Sequence, residues 1–363
     1  MARLADPLRG RDNALNFLRL VLAIAVIVDH SVPLSGLSSP RRGPLSDVAV
    51  DGFFVLSGYL VSGSRVRMSG PRYAWHRALR ILPGLWVCLL VTGLVIAPLA
   101  TLRTHEPWSI QLALRYVAQN ATLYSMPDTM GHTLAHVPLP GAWNGSLWTL
   151  WFESLGYLAA GLLLWPSFVR RHAAPILVSV AVAAALVVYL AHGPLFVTTN
   201  HYREAPTRLA CFFAAGMALW ALRDRLPSSG RLALVALAIG VPLYVAGALD
   251  TGPHPHVATW VPGGLTWMYV LLPLPLGYLL LWLGGVLPVR LGVRNDISYG
   301  VYIYAWPMQQ LLAVLGGQRL GLTAFTLLAV AITVPMAWLS WTLVEKRVLR
   351  LKDLGRTPAP VAG

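Results

Sequence analysis

Of 363 residues, 56% are hydrophobic and 12% charged, and the mean hydropathy is +0.61. Soluble domains carry about 25% charged residues, so a fully water-facing surface is excluded. The net charge of +14 would suggest nucleic acid in a soluble protein, but here the basic residues sort by loop and form no patch.

Runs of roughly 20 apolar residues, separated by short polar or Pro- and Gly-containing stretches, match what a hydrocarbon core of about 30 Å demands of a spanning helix. The first predicted span, 14–35, holds Arg19, Asp29 and His30. Its basic start, apolar Leu20–Val28 and small residues near Ser35 resemble a signal peptide, but the ionisable residues inside it argue for a retained helix. The second, 46–64, holds Asp47 and Asp51, and the third, 81–102, carries Pro and Gly of the kind that bundles tolerate. The longest connection follows, about 103–146, and its aromatics and prolines predict an ordered outer cap with a short helix over Ile110 to Gln119. The fourth span, 147–165, contains Glu153. Spans then follow at 174–192, 207–222 (begun by Arg208), 232–249, 260–283, 297–315 and 321–343. The expected fold is therefore an all-α membrane bundle of about ten transmembrane helices over residues 1–350. A tail covers 351–363, with no internal repeat and no fused soluble domain.

With the N-terminus inside, 20 of the 28 basic residues fall in cytoplasmic segments and seven, Arg208 among them, outside; Arg19 lies within its span. The positive-inside rule then puts both termini in the cytoplasm. Cys88 and Cys211 both sit in apolar spans and read as packing residues.

Charges in hydrocarbon cost at least ~2.5 kcal/mol each on insertion scales, so those that persist at membrane depth carry a functional hypothesis. Arg19 and His30 are eleven positions apart, which on a helix is about 20° past three turns and about 16 Å of rise. They share one face, with the arginine nearer the cytoplasm. An imidazole there can take a proton from a hydroxyl if a carboxylate or carbonyl orients its other nitrogen. Asp29 is poorly placed for that, about 100° round the helix from its neighbour, which leaves Asp51 and Glu153. The plainer alternative is that Arg19 snorkels to headgroups and His30 bonds a neighbouring helix.

Six motifs in order now matter. They are Asn16-Phe17-Leu18-Arg19 through Asp29-His30; Asp51 to Leu60 with its aromatic pair and Ser57-Gly58; and Arg77-Ala-Leu-Arg80-Ile-Leu-Pro83. Ser146-Leu-Trp148-Thr-Leu150 followed by Glu153, Ile297-Ser-Tyr299-Gly-Val-Tyr302, and Val344-Glu345-Lys346-Arg347 complete the set. Together they resemble the acyltransferase 3 family of bacterial integral-membrane O-acyltransferases along nearly the whole chain. The resemblance implies a multi-pass protein of the bacterial inner membrane that moves an acyl group, in the first instance acetyl, from acyl-CoA to a sugar hydroxyl. The acceptor would be a surface or secreted glycan or glycoside. It implies His30 and Arg19 as the catalytic core with Glu153, and Asp51, Ser57, Gly58, Trp148, Tyr299 and Tyr302 in support. Arg77 and Arg80 are suited to donor phosphates because guanidinium forks match them, although positive-inside topology and anionic-lipid contact explain them equally well. Acetyl-CoA is then a substrate, and no permanently bound cofactor, metal or nucleic-acid partner is expected. The sequence departs from the family at Ala305, where many members carry a histidine, and it ends too soon for the hydrolase-like domain that some members append.

Two other classes compete. Membrane-depth Arg, His and carboxylates also build ion-coupled transporters and flippases of glycans or lipid-linked intermediates, a reading weakened by the absence of a repeat. His132 and His136 are four apart, as in helical zinc sites, but the rest of a zinc motif is missing.

Overall fold

The structure, a computed structural model, describes residues 2–10, 12–37, 45–124, 129–192, 201–250, 264–293 and 295–353. His254, His256, Trp260, Arg294 and the tail beyond 353 lie outside them, as do Arg41 and Arg42. Among the described residues the chain is helical, with one isolated bridge, Arg3 to Pro227. The helices are α1 (Leu15–Ser35), α2 (Leu45–Arg67), α3 (Gly70–Thr104), α4 (Ile110–Asn120), α5 (Trp148–Leu163) and α6 (Ala173–His192). They continue as α7 (His201–Leu222), α8 (Gly230–Asp250), α9 (Gly264–Leu271), α10 (Pro273–Val286), α11 (Ser298–Val314) and α12 (Leu322–Ser340).

Seven of these are long and apolar enough to cross a membrane. The shorter members fall where other spans were predicted: α5 and α11 reach 16 and 17 residues. The predicted span 260–283 is two helices, α9 and α10, because Pro273 starts a new one. The third span begins eleven residues earlier than its hydropathy suggests, at Gly70, since the basic segment Arg72 to Arg80 is helical too. A π turn, Thr92–Ile96, runs within α3. In the connection that follows α3, α4 is capped by the Ser109 hydroxyl, which accepts from Leu112 N at 3.3 Å. Trp143, fully buried, ties that connection together through Thr133 at 2.8 Å.

Helix neighbours explain the site. The closest approach is that of α2 and α7: a Cβ on Gly58 would strike Phe213 O, and one on Gly216 would strike Val55 O. Gly58 therefore acts as a packing residue, letting two backbones touch as small residues do in membrane bundles. Helices α1, α3 and α11 run parallel, as their pairings show: Arg19 and Arg80 both meet Asp296 near the start of α11, while Ser31 meets Gln309 and Cys88 meets Ile303 further along. Leu4 and Ala5 hydrogen bond to the α7–α8 link (Leu226 O, Arg223 O), and Trp75 and His76 meet Leu351 O and Lys352 O. The first and last described segments thus gather at the end where α1 and α3 begin.

Candidate active site

Between α1, α2, α3, α5 and α11 lies a small cavity of about 40 Å³, lined by Arg19, Arg80, Glu153, Tyr157, Tyr299 and Tyr302 among others. It is built from helix faces. Arg19 projects from the first turns of α1 and Arg80 from the third turn of α3, and both reach Asp296 Oδ2, at 2.8 and 2.5 Å. Asp296 sits just before α11, where its Oδ1 also accepts from the Ser298 hydroxyl (2.6 Å) and backbone N–H (3.2 Å). Burial alone would push its carboxyl up, but Arg19, Arg80 and the Ser298 donors outweigh that and hold it down at about 2. The aspartate therefore stays ionised and fixes two guanidiniums side by side. Each spends one nitrogen on it, so most of their N–H donors remain for something else. Aromatic faces complete the cradle: Arg19 stands 6.0 Å over Phe53, and Arg80 lies between Tyr299 (5.9 Å) and Trp341 (6.0 Å).

Opposite these cations, Glu153 accepts from Ser57 at 3.1 Å and from the Tyr157 hydroxyl. The two tyrosines of α11 are equally engaged. Tyr299 donates to Ile81 O at 2.8 Å, locking α11 to α3, and Tyr302 bridges to the Thr149 hydroxyl (2.7 Å) and Ser146 O (3.1 Å) at the start of α5. Trp148 packs edge-on against Phe152, at 5.8 Å between ring centres, and does not line the cavity.

His30 lies further along α1. Its ring meets Trp306 of α11 edge-on, 4.9 Å between centres, and the Trp306 indole donates to Ala142 O at 3.0 Å. One turn on, Gln309 donates to Ile27 O and the Ser31 hydroxyl, both at 2.9 Å. Contacts between the parallel α1 and α11 thus succeed one another from Arg19–Asp296 through His30–Trp306 to Gln309 with Ile27 and Ser31, while Tyr299 and Tyr302 turn from α11 to α3 and the start of α5. Ala305 is fully buried on the same helix.

Several expected site residues therefore meet, and others part. Arg19, Arg80, Glu153, Tyr299 and Tyr302 share one cavity, with Ser57 behind Glu153. Asp51, weighed above as an orienter of His30, is instead engaged by Arg208 at 3.3 Å, together with Asp47 at 3.1 Å. Arg208 itself, counted among the outer basic residues, is 1% exposed inside the bundle. Arg77 does not join Arg80: three residues leave only about 60° between them on a helix, yet Arg77 lines a separate groove between α3 and α5. His136 pairs with Glu106 at 3.3 Å, and among the described residues no three metal-ligating side chains cluster. Sequence reasoning missed Asp296. Its only local signal is an aspartate two residues before a helix-starting serine, which reads as an ordinary cap.

Comparison with known proteins fits this geometry. A family model described as an acyltransferase domain matches residues 12–344. A protein of Shigella phage Sf6 named O-acetyl transferase is 29% identical over 93% of this chain and 96% of its own length. Nodulation protein 10 of Rhizobium leguminosarum bv. viciae is 28% identical, covering 94% and 95%. No solved structure matches. The match takes in the cavity, the paired arginines and the α1–α11 contacts alike, and the chain is a member of the acyltransferase 3 family, a multi-pass membrane acyltransferase.

Proposed function

We propose that this enzyme transfers an acetyl group from acetyl-CoA, presented at the cytoplasmic face, to a hydroxyl of a sugar in a surface or secreted glycan or glycoside. About ten spans of the bacterial inner membrane with both termini inside would carry it. The observation that supports this reading best is the pair of guanidiniums held by Asp296 in a cavity beside α1, the same helix that further along carries His30 against Trp306. The name of the phage relative favours acetyl and an oxygen acceptor.

In this reading His30 removes the proton from the acceptor hydroxyl as its oxygen attacks the thioester carbonyl carbon. The carbonyl π electrons move to oxygen, while Arg19 and Arg80, about 16 Å along the bundle from His30, hold the charge of the donor through N–H donors not spent on Asp296. Collapse breaks the carbon–sulfur bond, and the leaving thiolate recovers the proton from His30. A two-step variant has the imidazole carry the acetyl group first; acetyl-enzyme formed with donor alone distinguishes it. Of the two arginines expected at the donor phosphates, Arg80 lines the cavity and fits that part.

The test uses purified protein, radiolabelled acetyl-CoA and glycans extracted from the producing cell. Transfer should fall about 10²–10⁴-fold in His30→Ala, with unchanged thermal unfolding. Full-rate transfer by that variant overturns the assignment of the base, and no transfer by the unaltered protein to any glycan overturns the function.

A further inference from the structure

Rotation about the bond that joins a histidine ring to its side chain is broad and roughly two-fold, so the plane of the His30 imidazole is not set by its own rotamer. A general base works only when a chosen nitrogen faces the proton it takes. Neighbours on α11 supply that constraint. Gln309, buried in the bundle, donates to Ile27 O and the Ser31 hydroxyl on either side of His30, and so fixes this stretch of α1 against α11. Trp306, one turn before Gln309, meets the imidazole edge-on, with ring centres 4.9 Å apart and planes at 75°, the geometry that aromatic quadrupoles favour.

Trp306 is itself held from behind. Its indole N–H donates to Ala142 O at 3.0 Å, and its six-membered ring lies so close to Gly145 that a Cβ there would stand 2.6–2.8 Å from three of its carbons. Glycine at 145 is what lets the segment approach the indole. The same segment is tied to α11 twice more: Gln310 donates to Leu139 O (2.9 Å) and Ala142 O (3.0 Å), and Asn144 donates to Ile303 O at 2.8 Å. Trp306, Gln310 and Asn144 are all buried. Ala142 O therefore accepts from two side chains of α11, and the indole has little room to turn.

Resting on the reading of His30 as the base, we propose that Trp306 is a positioning residue for it. The indole fixes the plane of the imidazole, and the segment 139–145, clamped by Gln310, fixes the indole. Trp306 supplies no proton, because its N–H is committed to Ala142 O; it acts through His30 alone. Rigid support of this kind is what holds a reacting group in its productive geometry.

The test separates the aromatic ring from the space it fills. Trp306→Phe and Trp306→Met both lose the bond to Ala142 O and put a smaller side chain in its place, but only the first keeps an aromatic face. Per folded molecule, Trp306→Met should lower kcat about 10²-fold, as misplacing a catalytic group does, with the KM for acetyl-CoA unchanged. Trp306→Phe should stay within about tenfold of the natural protein. Gln310→Met, which frees the segment and spares both rings, should lower kcat about fivefold alone and no further when added to Trp306→Met, as coupled positions do. Nuclear magnetic resonance of protein carrying isotope-labelled histidine gives a second readout. The ring signals of His30, identified by their loss in His30→Ala, should be sharp in the natural protein and averaged in Trp306→Met. Equal kcat for the Phe and Met variants, an unaltered His30 signal in Trp306→Met, or additive effects of Gln310→Met overturn the proposal. The ring signals are read without turnover, so if His30→Ala transfers at full rate the assignment of the base falls, while the signals still decide what orients the ring.

Discussion

The bundle contains two arginine–aspartate clusters of opposite stoichiometry, both at least partly buried. In one, Asp296 is shared by two guanidiniums, Arg19 and Arg80; in the other, Arg208 is shared by two carboxylates, Asp47 and Asp51. The first borders a cavity and leaves N–H donors facing it. In the second, Arg208 and Asp51 are 1% and 0% exposed, with Asp47 at its edge 21% exposed and the Tyr269 ring 5.2 Å beneath the guanidinium. The difference teaches that an intramembrane ion pair is not by itself a site. The pair becomes one where cationic donors exceed the anions that use them and space is left beside them. The second is a staple between α2 and α7, close to the Gly58–Gly216 crossing.

That contrast can be broken from either side. The largest effect should come from Arg208→Met, which strands two carboxylates in the bundle. Removing one partner of a buried pair costs about 3–5 kcal/mol, so thermal unfolding should drop sharply while the rate per folded molecule is retained; a rate loss without unfolding would make the staple part of the site. Arg19→Ala should do the opposite, raising the KM for acetyl-CoA about tenfold or more, as the loss of a charge-assisted contact to the donor does, with a small change in melting temperature.

Asp296→Asn sharpens the comparison through pH. The folded carboxyl lies at about 2, below the ordinary value of about 3.9. Its ion pairs therefore contribute in full above pH ~4, and that contribution is lost as pH falls through about 2. The stability gap between the natural protein and Asp296→Asn, roughly 2–3 kcal/mol, should be constant from pH 5 to 8 and close below pH 4. A gap that changes near pH 7 would show that another group titrates with the cluster. An effect on stability alone belongs to Gly58→Ala, where the new methyl would stand 2.1 Å from the backbone Phe213 O. Overpacking of this kind costs about 1–3 kcal/mol, and a differential melt should show it with no change in the KM for acetyl-CoA.

Much of the architecture was legible in the sequence, because a spanning helix advertises itself through composition alone. The helical segments lie where the apolar runs fall, and the helix predicted over Ile110 to Gln119 in the longest connection is found at Ile110–Asn120. The errors are informative. The start of α3 was placed too late because hydropathy sees only the buried part of a helix, and Arg72 to Arg80 are helical yet polar. The span 260–283 was read as one helix because a sliding average does not register the break at Pro273.

At the site, helical periodicity alone put Arg19 and His30 on one face of α1, since residue spacing and helix geometry are local. The partners of each charge were decided only by the tertiary structure. Asp296 lies 277 positions from Arg19 and 216 from Arg80, and no local pattern records that α1, α3 and α11 run side by side. The same packing separates Arg77 from Arg80 and gives Asp51 to Arg208. Helix formation follows from a few residues' chemistry, whereas the choice of ionic partner in a membrane depends on which distant helix supplies the opposite charge at the same depth.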